Sequence, residues 1–368
     1  MKGMCAACFA HQFPFPNSST LGLPAISNEE KKYVKEAMHY EKKEELKVLC
    51  KLCPKECSVA DLERGYCGVR ENIEGTYYTL VHSRPCTYQY DPIEKKPLFH
   101  FLPGTRAFSI ATAGCNMECK FCQNWEISQF RPEQLRSFYL PPREVHKTAR
   151  IKRCRSIAYT YTEPVIFYEY VFDTAKLGKE TGIRSVFISN GYIQEKPIVE
   201  LCQHLDAIKI DLKAFTEKFY KETCSGELKP VLQALQAIKK TGIWLEVVVL
   251  IVPTLNDSES EIKQMSQWIF RNLGSDVPVH FTRFHPTYKI KNLPRTPVPT
   301  LERSRKIALA EGLHYVYTGN VVGHAGENTY CPSCRKVVIK RYGYNVIQVN
   351  IKNGKCTHCG TSIPGVWS

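Results

Sequence analysis

Short apolar runs alternate with longer stretches of mixed polarity from residue 108 onward. The apolar runs predict β-strands at residues 108–113, 156–161, 184–189, 207–212, 244–252, 279–284 and 314–317. The stretches between them predict helices at residues 142–151, 165–181, 196–204, 229–241, 258–272 and 301–311. Strands that are apolar throughout are typical of a parallel sheet covered on both faces. The repeated strand–helix units therefore predict an α/β fold, either a barrel or an open parallel sheet.

Three cysteines follow the first predicted strand. Cys115, Cys119 and Cys122 have the spacing C-x3-C-x2-C, and the aromatic Phe121 stands just before the last of them. A cluster that only carries electrons usually takes four thiolates, so three leave one iron open for chemistry. Gly114 ends the strand and places the cysteines on a loop at its carboxyl end, where barrel enzymes build their sites. The alternative is a structural zinc or electron-transfer site that lacks its fourth ligand.

Two sets of four cysteines flank the predicted strand–helix units. The first set has no open position and indicates a structural site, with zinc preferred and an auxiliary iron–sulfur cluster as the alternative. It consists of Cys50, Cys53, Cys57 and Cys67. The second set forms two C-x2-C pairs around a predicted hairpin at residues 337–346 and indicates a zinc ribbon, with rubredoxin-type iron as the competing metal. It consists of Cys331, Cys334, Cys356 and Cys359.

These features divide the chain into four parts. Residues 1–46 form a partly flexible leader that contains Cys5 and Cys8 and a predicted charged helix at residues 28–47. Residues 47–105 form the first four-cysteine module and a lead-in loop, 106–322 the strand–helix domain, and 323–368 the zinc-ribbon-like module. Within the lead-in, the charged segment 91–97 is expected to be either a solvated loop, or a plug or docking surface over the mouth of the barrel that closes around substrate.

Composition restricts the classes of function. The chain has 368 residues, of which 43% are hydrophobic, and it contains no secretory signal and no membrane-spanning run. Its 17 cysteines occur largely as C-x2-C pairs, which indicate metal sites in a reducing cytoplasm rather than secreted disulfides. The net charge of +14 keeps a nucleic-acid partner open, but the basic residues are scattered and a solvated basic surface is preferred.

Polar residues stand at the carboxyl ends of successive predicted strands. They are Thr162 and Glu163, Asn190, Asp211 and Lys213, and His285. Each residue alone has an ordinary role as a surface pair or a satisfied core group. Together, at consecutive strand ends, they predict a binding site beside the three-cysteine loop, in which Glu163 is an acceptor able to hold an amino group.

The cysteine loop resembles that of the radical S-adenosylmethionine (SAM) superfamily, and the strand ends resemble those of activating enzymes of glycyl radical enzymes. The chain from about residue 47 resembles most closely the radical SAM enzyme of the AmmeMemoRadiSam system. The segments that carry this resemblance are residues 50–54, 65–70, 91–98, 119–124, 159–164, 252–257, 281–286 and 331–367. The resemblance implies a partial (β/α)6 TIM-like barrel with small cysteine-rich metal-binding modules at both ends.

The resemblance also implies cofactors and residue roles. Cys115, Cys119 and Cys122 would hold a [4Fe–4S] cluster whose open iron binds SAM, beside the aromatic ring of Phe121. Reductive cleavage of SAM would give a 5′-deoxyadenosyl radical that abstracts hydrogen from a substrate. SAM would meet Glu163 through its amino group, Asn190 through ribose or carboxylate, Lys213 of the Asp211–Lys213 pair through its carboxylate, and His285 through ribose. Thr162 departs from the asparagine expected in many relatives.

The leading hypothesis is a radical SAM enzyme with an unidentified substrate. The alternatives are an activase that installs a glycyl radical on a partner protein, and an iron–sulfur carrier or RNA-modifying or RNA-binding protein. Expected partners are an electron donor such as flavodoxin or ferredoxin and a protein substrate or a Memo-like or AMMECR-like protein. A membrane partner is not expected.

Overall fold

The N-terminal part is built from short strands rather than from the predicted helix. A computed structural model describes residues 29–368, so Cys5 and Cys8 lie outside the described residues. The predicted helix at 28–47 is wrong, because the described part of it forms a 3₁₀ turn at Lys31–Tyr33 followed by two short strands. Strand pairing supplies tertiary hydrogen bonds that a charged helix without an apolar face lacks, and such contacts override local propensity.

Six short strands form two small antiparallel sheets around the first four cysteines. They are β1 (Lys35–Glu36), β2 (Tyr40–Lys42), β3 (Val48–Cys50), β4 (Ser58–Val59), β5 (Arg70–Ile73) and β6 (Thr76–Thr79). The sheet orders are β1-β6-β5 and β2-β3-β4. These strands and their loops bring the four cysteines together around one void.

An eight-stranded sheet forms the centre of the molecule. Its strands are β7 (Thr87–Pro92), β8 (Arg106–Ala111), β9 (Ser156–Tyr159), β10 (Arg184–Ser189), β11 (Ala207–Asp211), β12 (Trp244–Ile251), β13 (Val279–Arg283) and β14 (Val316–Gly319). They lie in the order of the sequence, parallel from β8 to β14, with β7 antiparallel to β8 at the edge. The seven predicted strands and the parallel α/β fold are confirmed, whereas β7 was not predicted.

Helices connect the parallel strands. They are α1 (Trp125–Ser128), α2 (Pro142–Ile151), α3 (Tyr168–Lys176), α4 (Gly178–Thr181), α5 (Glu195–Cys202), α6 (Glu217–Phe219), α7 (Leu228–Lys240), α8 (Glu259–Leu273) and α9 (Val298–Ala310). A π-helical turn at Tyr220–Cys224 follows α6, and short 3₁₀ turns lie at Ile93–Lys95, Pro132–Gln134, Pro164–Phe167 and Ala325–Glu327. All six predicted helical stretches contain a helix, and their apolar faces pack on the sheet in one large core.

The C-terminal part is a ribbon that packs against the barrel. Its strands are β15 (Thr329–Tyr330), β16 (Val337–Tyr342), β17 (Asn345–Val349), β18 (Ile351–Lys352) and β19 (Lys355–Cys356). The pairing of β16 with β17 confirms the predicted hairpin. Cys331 and Cys356 share an apolar cluster with Phe99 and Tyr317, which joins the ribbon to the last barrel strand.

The charged segment 91–97 is not a solvated loop, so that prediction is wrong; it enters the barrel from the end opposite the cysteine loop, and Lys95, Lys96 and Pro97 line a cavity there as a plug would. Asp91, Glu94 and Lys96 are buried, at 5%, 1% and 2% exposure. Because β7 runs antiparallel to β8, this segment lies at the amino ends of the parallel strands, opposite the cysteine loop. Buried charges require partners, and the partners of Asp91 are Lys95, Lys96, Ser109 and the Tyr161 hydroxyl.

Candidate active site

The cysteine loop begins where β8 ends, and a glycine sets its direction. Gly114 has a φ of +94°, and a Cβ at this position would come within 2.8 Å of the Cys67 carbonyl oxygen and of Val69. Only glycine tolerates both this conformation and this close approach. Local sequence therefore fixes the cysteine loop against the N-terminal module.

All three cysteines of the loop line one cavity of about 440 Å³. The cavity is also lined by six of the seven residues predicted to contact SAM, namely Phe121, Thr162, Glu163, Asn190, Asp211 and Lys213. Within residues 29–368, the C-terminal cysteine set is the one group of three or more ligand atoms that all lie within 4.8 Å of one another. The sulfur atoms of Cys115, Cys119 and Cys122 are therefore further apart than this limit allows. Three thiolates that bind different corners of a cubane cluster must be separated in this way, so the loop fits a [4Fe–4S] cluster better than a single ion.

Cys119 is the cysteine of the loop most disposed to ionise. The neighbouring Cys224 thiol and the charge of Lys213 lower the pKa of Cys119 although the residue is buried. Cys224 reaches this position because the π-helical turn packs on the loop, where the Glu118 N–H donates to the Cys224 carbonyl at 3.0 Å. The thiolate is the form that binds metal.

Glu163 is a buried carboxylate at the end of β9. It accepts hydrogen bonds from the Ser189 hydroxyl at 2.6 Å, the Asn190 N–H at 2.7 Å and the Val165 N–H at 3.1 Å. Burial raises its pKa to about 7 against the opposing effect of these donors and of Lys213. A positively charged amino group in the cavity would favour the ionised form of the Glu163 carboxyl, which burial disfavours.

Two amides connect the cysteine loop to the third parallel strand. Asn190 donates from Nδ2 to Asn116 Oδ1 at 2.9 Å, and Asn116 donates to the Tyr192 carbonyl at 2.8 Å. Thr162 donates its hydroxyl proton to the Thr112 carbonyl at 2.8 Å. The predicted residues Asn190 and Thr162 thus hold the strand ends together while they face the cavity.

A charged row lies at the carboxyl end of β11. Asp211 lies between Lys209 and Lys213, with Lys213 Nζ 3.3 Å from its carboxylate and Lys209 in a shorter ion pair. The Lys213 ammonium also lies 5.9 Å from the centre of the Phe121 ring. Lys213 is therefore held by its own strand end and presents charge to the cavity.

His285 does not line this cavity. It follows β13, is half-buried, and is absent from the cavity lining. Burial lowers its pKa, as do Arg295 and Arg283. The structure therefore brings together all the predicted site residues of the barrel except this histidine.

Sequence reasoning missed the lysines at the opposite end of the cavity. Lys95 and Lys96 line it together with Tyr161, and Lys96 donates to Asp91 at 2.5 Å. Burial lowers the pKa of Lys96 to about 8 despite this partner. The segment 91–98 carries part of the resemblance. Its position in the barrel depends on the antiparallel strand β7, which was not predicted from the sequence.

The two four-cysteine sets have different geometries. In the C-terminal set all four sulfur atoms lie within 4.8 Å of one another, with Cys331–Cys359 and Cys334–Cys356 separations of 3.6 and 3.8 Å. Tetrahedral thiolates bound to zinc at about 2.3 Å would be about 3.8 Å apart. The four N-terminal cysteines line one void but form no such compact group.

The comparisons with known proteins agree with this site. Residues 109–269 match the sequence profile of the Radical SAM superfamily, and the chain belongs to that superfamily. It is 45% identical over 332 residues to an uncharacterised protein of Methanocaldococcus jannaschii, covering 90% of this chain and 99% of that protein. It is 25% identical over 194 residues to the pyruvate formate-lyase-activating enzyme of Clostridium pasteurianum, covering 50% of this chain and 76% of the relative.

Solved structures give a weaker likeness. A radical SAM methyltransferase from Sphaerobacter thermophilus is 16% identical, and the match covers 60% of this chain and 70% of that chain with a TM-score of 0.47.

By its sequence, the chain is an enzyme of the radical SAM superfamily related to glycyl-radical activases, and this family implies a [4Fe–4S] cluster and SAM. No helix within residues 29–368 has the length and apolar character needed to cross a bilayer.

Proposed function

We propose that this protein binds a [4Fe–4S] cluster through Cys115, Cys119 and Cys122 and binds SAM in the adjoining cavity. When bound there, this pair supplies reductive cleavage of SAM to a 5′-deoxyadenosyl radical, which removes hydrogen from a substrate. The observation that carries the proposal is that three thiols and the predicted strand-end residues line a single cavity.

The residues of the cavity divide the work of binding SAM. Glu163 accepts from the amino group, and its three fixed donors hold the carboxylate in place. Lys213 offers positive charge to the SAM carboxylate from its position over Phe121. Phe121 supplies an apolar surface next to the last cysteine, and Asn190 fixes the wall opposite.

The test is release of 5′-deoxyadenosine from SAM by anaerobically reconstituted protein and dithionite. We expect cleavage by the natural chain and none by the triple variant C115A/C119A/C122A. Cys154→Ala is the matched control, because Cys154 is a buried cysteine outside the cavity lining and should leave cleavage unchanged. Cleavage retained by the triple variant would contradict the assignment.

A glycyl-radical activase is the second candidate, and the relation to the Clostridium pasteurianum activating enzyme favours it. An activase uses SAM once for each partner chain that it modifies, whereas other radical enzymes use it repeatedly. The number of 5′-deoxyadenosine molecules formed per candidate partner, together with an organic-radical signal on that partner, separates the two.

Two kinds of partner follow from this chemistry. A one-electron donor such as flavodoxin or ferredoxin would reduce the cluster, and the net charge of +14 suits an acidic protein of this kind. The second partner would be a protein substrate or a Memo-like or AMMECR-like protein, which are the candidates that the sequence resemblance offers.

We also infer that the C-terminal set Cys331, Cys334, Cys356 and Cys359 binds one zinc ion. The compact arrangement of the four sulfur atoms supports a single tetrahedral metal. Elemental analysis of protein purified without added metal should give zinc, and iron without sulfide would assign the site to the rubredoxin type.

A further inference from the structure

The four N-terminal cysteines surround a small void next to the cysteine loop. Cys50, Cys53, Cys57 and Cys67 line it together with the buried side chains of Arg70 and Tyr77 and other residues of the module. We propose that this void holds a second [4Fe–4S] cluster, bound by all four thiolates, rather than the structural zinc that the spacing alone favours.

The first argument is the separation of the sulfur atoms. The C-terminal cysteine set provides a comparison within the same chain, because its four sulfur atoms all lie within 4.8 Å of one another, as binding to a single ion requires. No three sulfur atoms of the N-terminal set satisfy that limit, and the same is true of Cys115, Cys119 and Cys122. Four thiolates on one zinc must be close, whereas four thiolates on a cubane each bind a different iron and lie further apart.

The second argument is a buried arginine with donors left over. Arg70 is 1% exposed and donates from Nη2 to Glu169 at 2.6 Å. Its Nε and Nη1 atoms have no hydrogen-bond partner among the described residues. Buried donors are costly when unsatisfied. The inorganic sulfides of a cluster would place acceptors inside the void that Arg70 lines, whereas a lone zinc ion brings none.

The third argument is that the set already receives a hydrogen bond from the backbone. The Tyr66 N–H donates to Cys57 Sγ at 3.4 Å. This bond offsets part of the negative charge that a four-thiolate cluster carries. Arg70, with its two unpaired donors, lines the same void.

The void also adjoins the catalytic loop directly. Asn116 lines it, the Cys67 carbonyl packs against Gly114, and the Tyr66 hydroxyl donates to Glu118 at 2.7 Å. A cluster with four protein thiolates leaves no iron open for SAM. Its chemistry is therefore confined to gaining and losing one electron beside the SAM site.

The test measures iron, zinc and acid-labile sulfide in the triple variant C115A/C119A/C122A after anaerobic reconstitution with iron, sulfide and zinc. We expect about four irons and four sulfides per chain, one cubane's worth, and a low-temperature electron paramagnetic resonance signal after dithionite reduction. The natural chain should hold about twice this sulfide. A triple variant with bound zinc at the N-terminal set and no labile sulfide would overturn the proposal.

Two further variants show which cysteines hold the sulfide that the triple variant retains. Adding Cys53→Ser and Cys67→Ser to the triple variant should remove the remaining sulfide, whereas adding Cys202→Ala, at a cysteine outside this void, should not. If the first of these does not fold, the sulfide content of the triple variant alone decides. Because that variant has no SAM cluster, the result is independent of whether the natural chain cleaves SAM.

Discussion

The pKa of Glu163 connects SAM binding to pH, and a single substitution tests the connection. Glu163→Gln keeps the shape of the side chain but removes its charge. In the protein without SAM, burial raises the pKa of this carboxyl to about 7. Binding of an amino group favours the charged form, so SAM binding below pH 7 must displace a proton from Glu163.

The size of the effect follows from these facts. Loss of a charge-assisted hydrogen bond costs about 1.5–3 kcal/mol, so above pH 7 the variant should bind SAM about 10- to 150-fold more weakly. At pH 6 the natural protein should lose about tenfold in affinity through protonation of Glu163, and the gap between the two proteins should narrow by that factor. SAM's own titration is shared by both proteins and cancels in the ratio of their dissociation constants.

Stability gives an independent readout with a defined sign. A carboxyl whose pKa rises from 4.5 to about 7 on folding binds more protons in the folded state than in the unfolded state between these values. The free energy of unfolding must therefore fall as pH rises through this window, by about 3 kcal/mol in total. The variant lacks this contribution, so its unfolding free energy should depend less steeply on pH.

The assay is equilibrium binding of SAM to reconstituted protein between pH 6 and 8, with urea unfolding of the SAM-free proteins in parallel. Glu126→Gln is the matched control, because Glu126 is an exposed glutamate on α1 outside the cavity. A ratio of dissociation constants that stays constant with pH, or equal pH slopes of unfolding, would refute the reasoning.

Three other predictions concern the supporting structure. Cys334→Ser should lower the zinc content and make the C-terminal ribbon sensitive to protease, while iron at the barrel loop is retained, as elemental analysis and limited proteolysis will show. Glu169→Gln should destabilise the protein by about 3–5 kcal/mol in urea unfolding, because it leaves the buried Arg70 guanidinium without its counter-charge. Lys96→Met should cost about 1–3 kcal/mol in the same assay, because Asp91 loses its buried ammonium partner; an unchanged midpoint would show that Lys95 compensates.

The barrel could be predicted well from the sequence, because the alternation of apolar and mixed stretches directly reflects how strands and helices are buried. Each parallel strand is buried on both faces, and each connecting helix covers one face, so apolar runs and mixed stretches alternate with little ambiguity. The edge strand β7 has no such pattern. Its tyrosines at 88 and 90 alternate with polar residues, and both rings contact Phe108 of the neighbouring strand, Tyr88 edge-on and Tyr90 stacked. This alternation of aromatic and polar residues is typical of an antiparallel edge strand.

The site was predictable where a residue directly follows a strand and not where distant segments meet. Glu163, Asn190 and Lys213 could be placed because parallel strands end at one edge of the sheet. Lys96 enters the cavity from the opposite end, and Cys224 reaches Cys119 through a π-helical turn. Neither position follows from local spacing. His285 shows the converse, since a strand-end position alone does not bring a side chain into the cavity.

The modules outside the barrel complete its cavity from both ends. At the amino ends of the strands, buried Glu246 accepts hydrogen bonds from the Phe99 and His100 N–H groups at 3.0 and 2.8 Å, which anchors the lead-in segment inside the sheet. The ribbon holds the same segment, because Arg341 donates to the Phe99 carbonyl at 2.7 Å.

The hairpin of the ribbon also contributes Tyr344 to the cavity lining. Loss of the metal at Cys334 loosens the metal end of this module, which packs on Phe99 and Tyr317, whereas removal of the whole ribbon also withdraws the Arg341 contact and a wall of the cavity. The two changes should therefore have different effects. The Cys334→Ser variant should retain SAM cleavage. In the chain without the ribbon, the cavity that binds SAM and substrate should be open at its side.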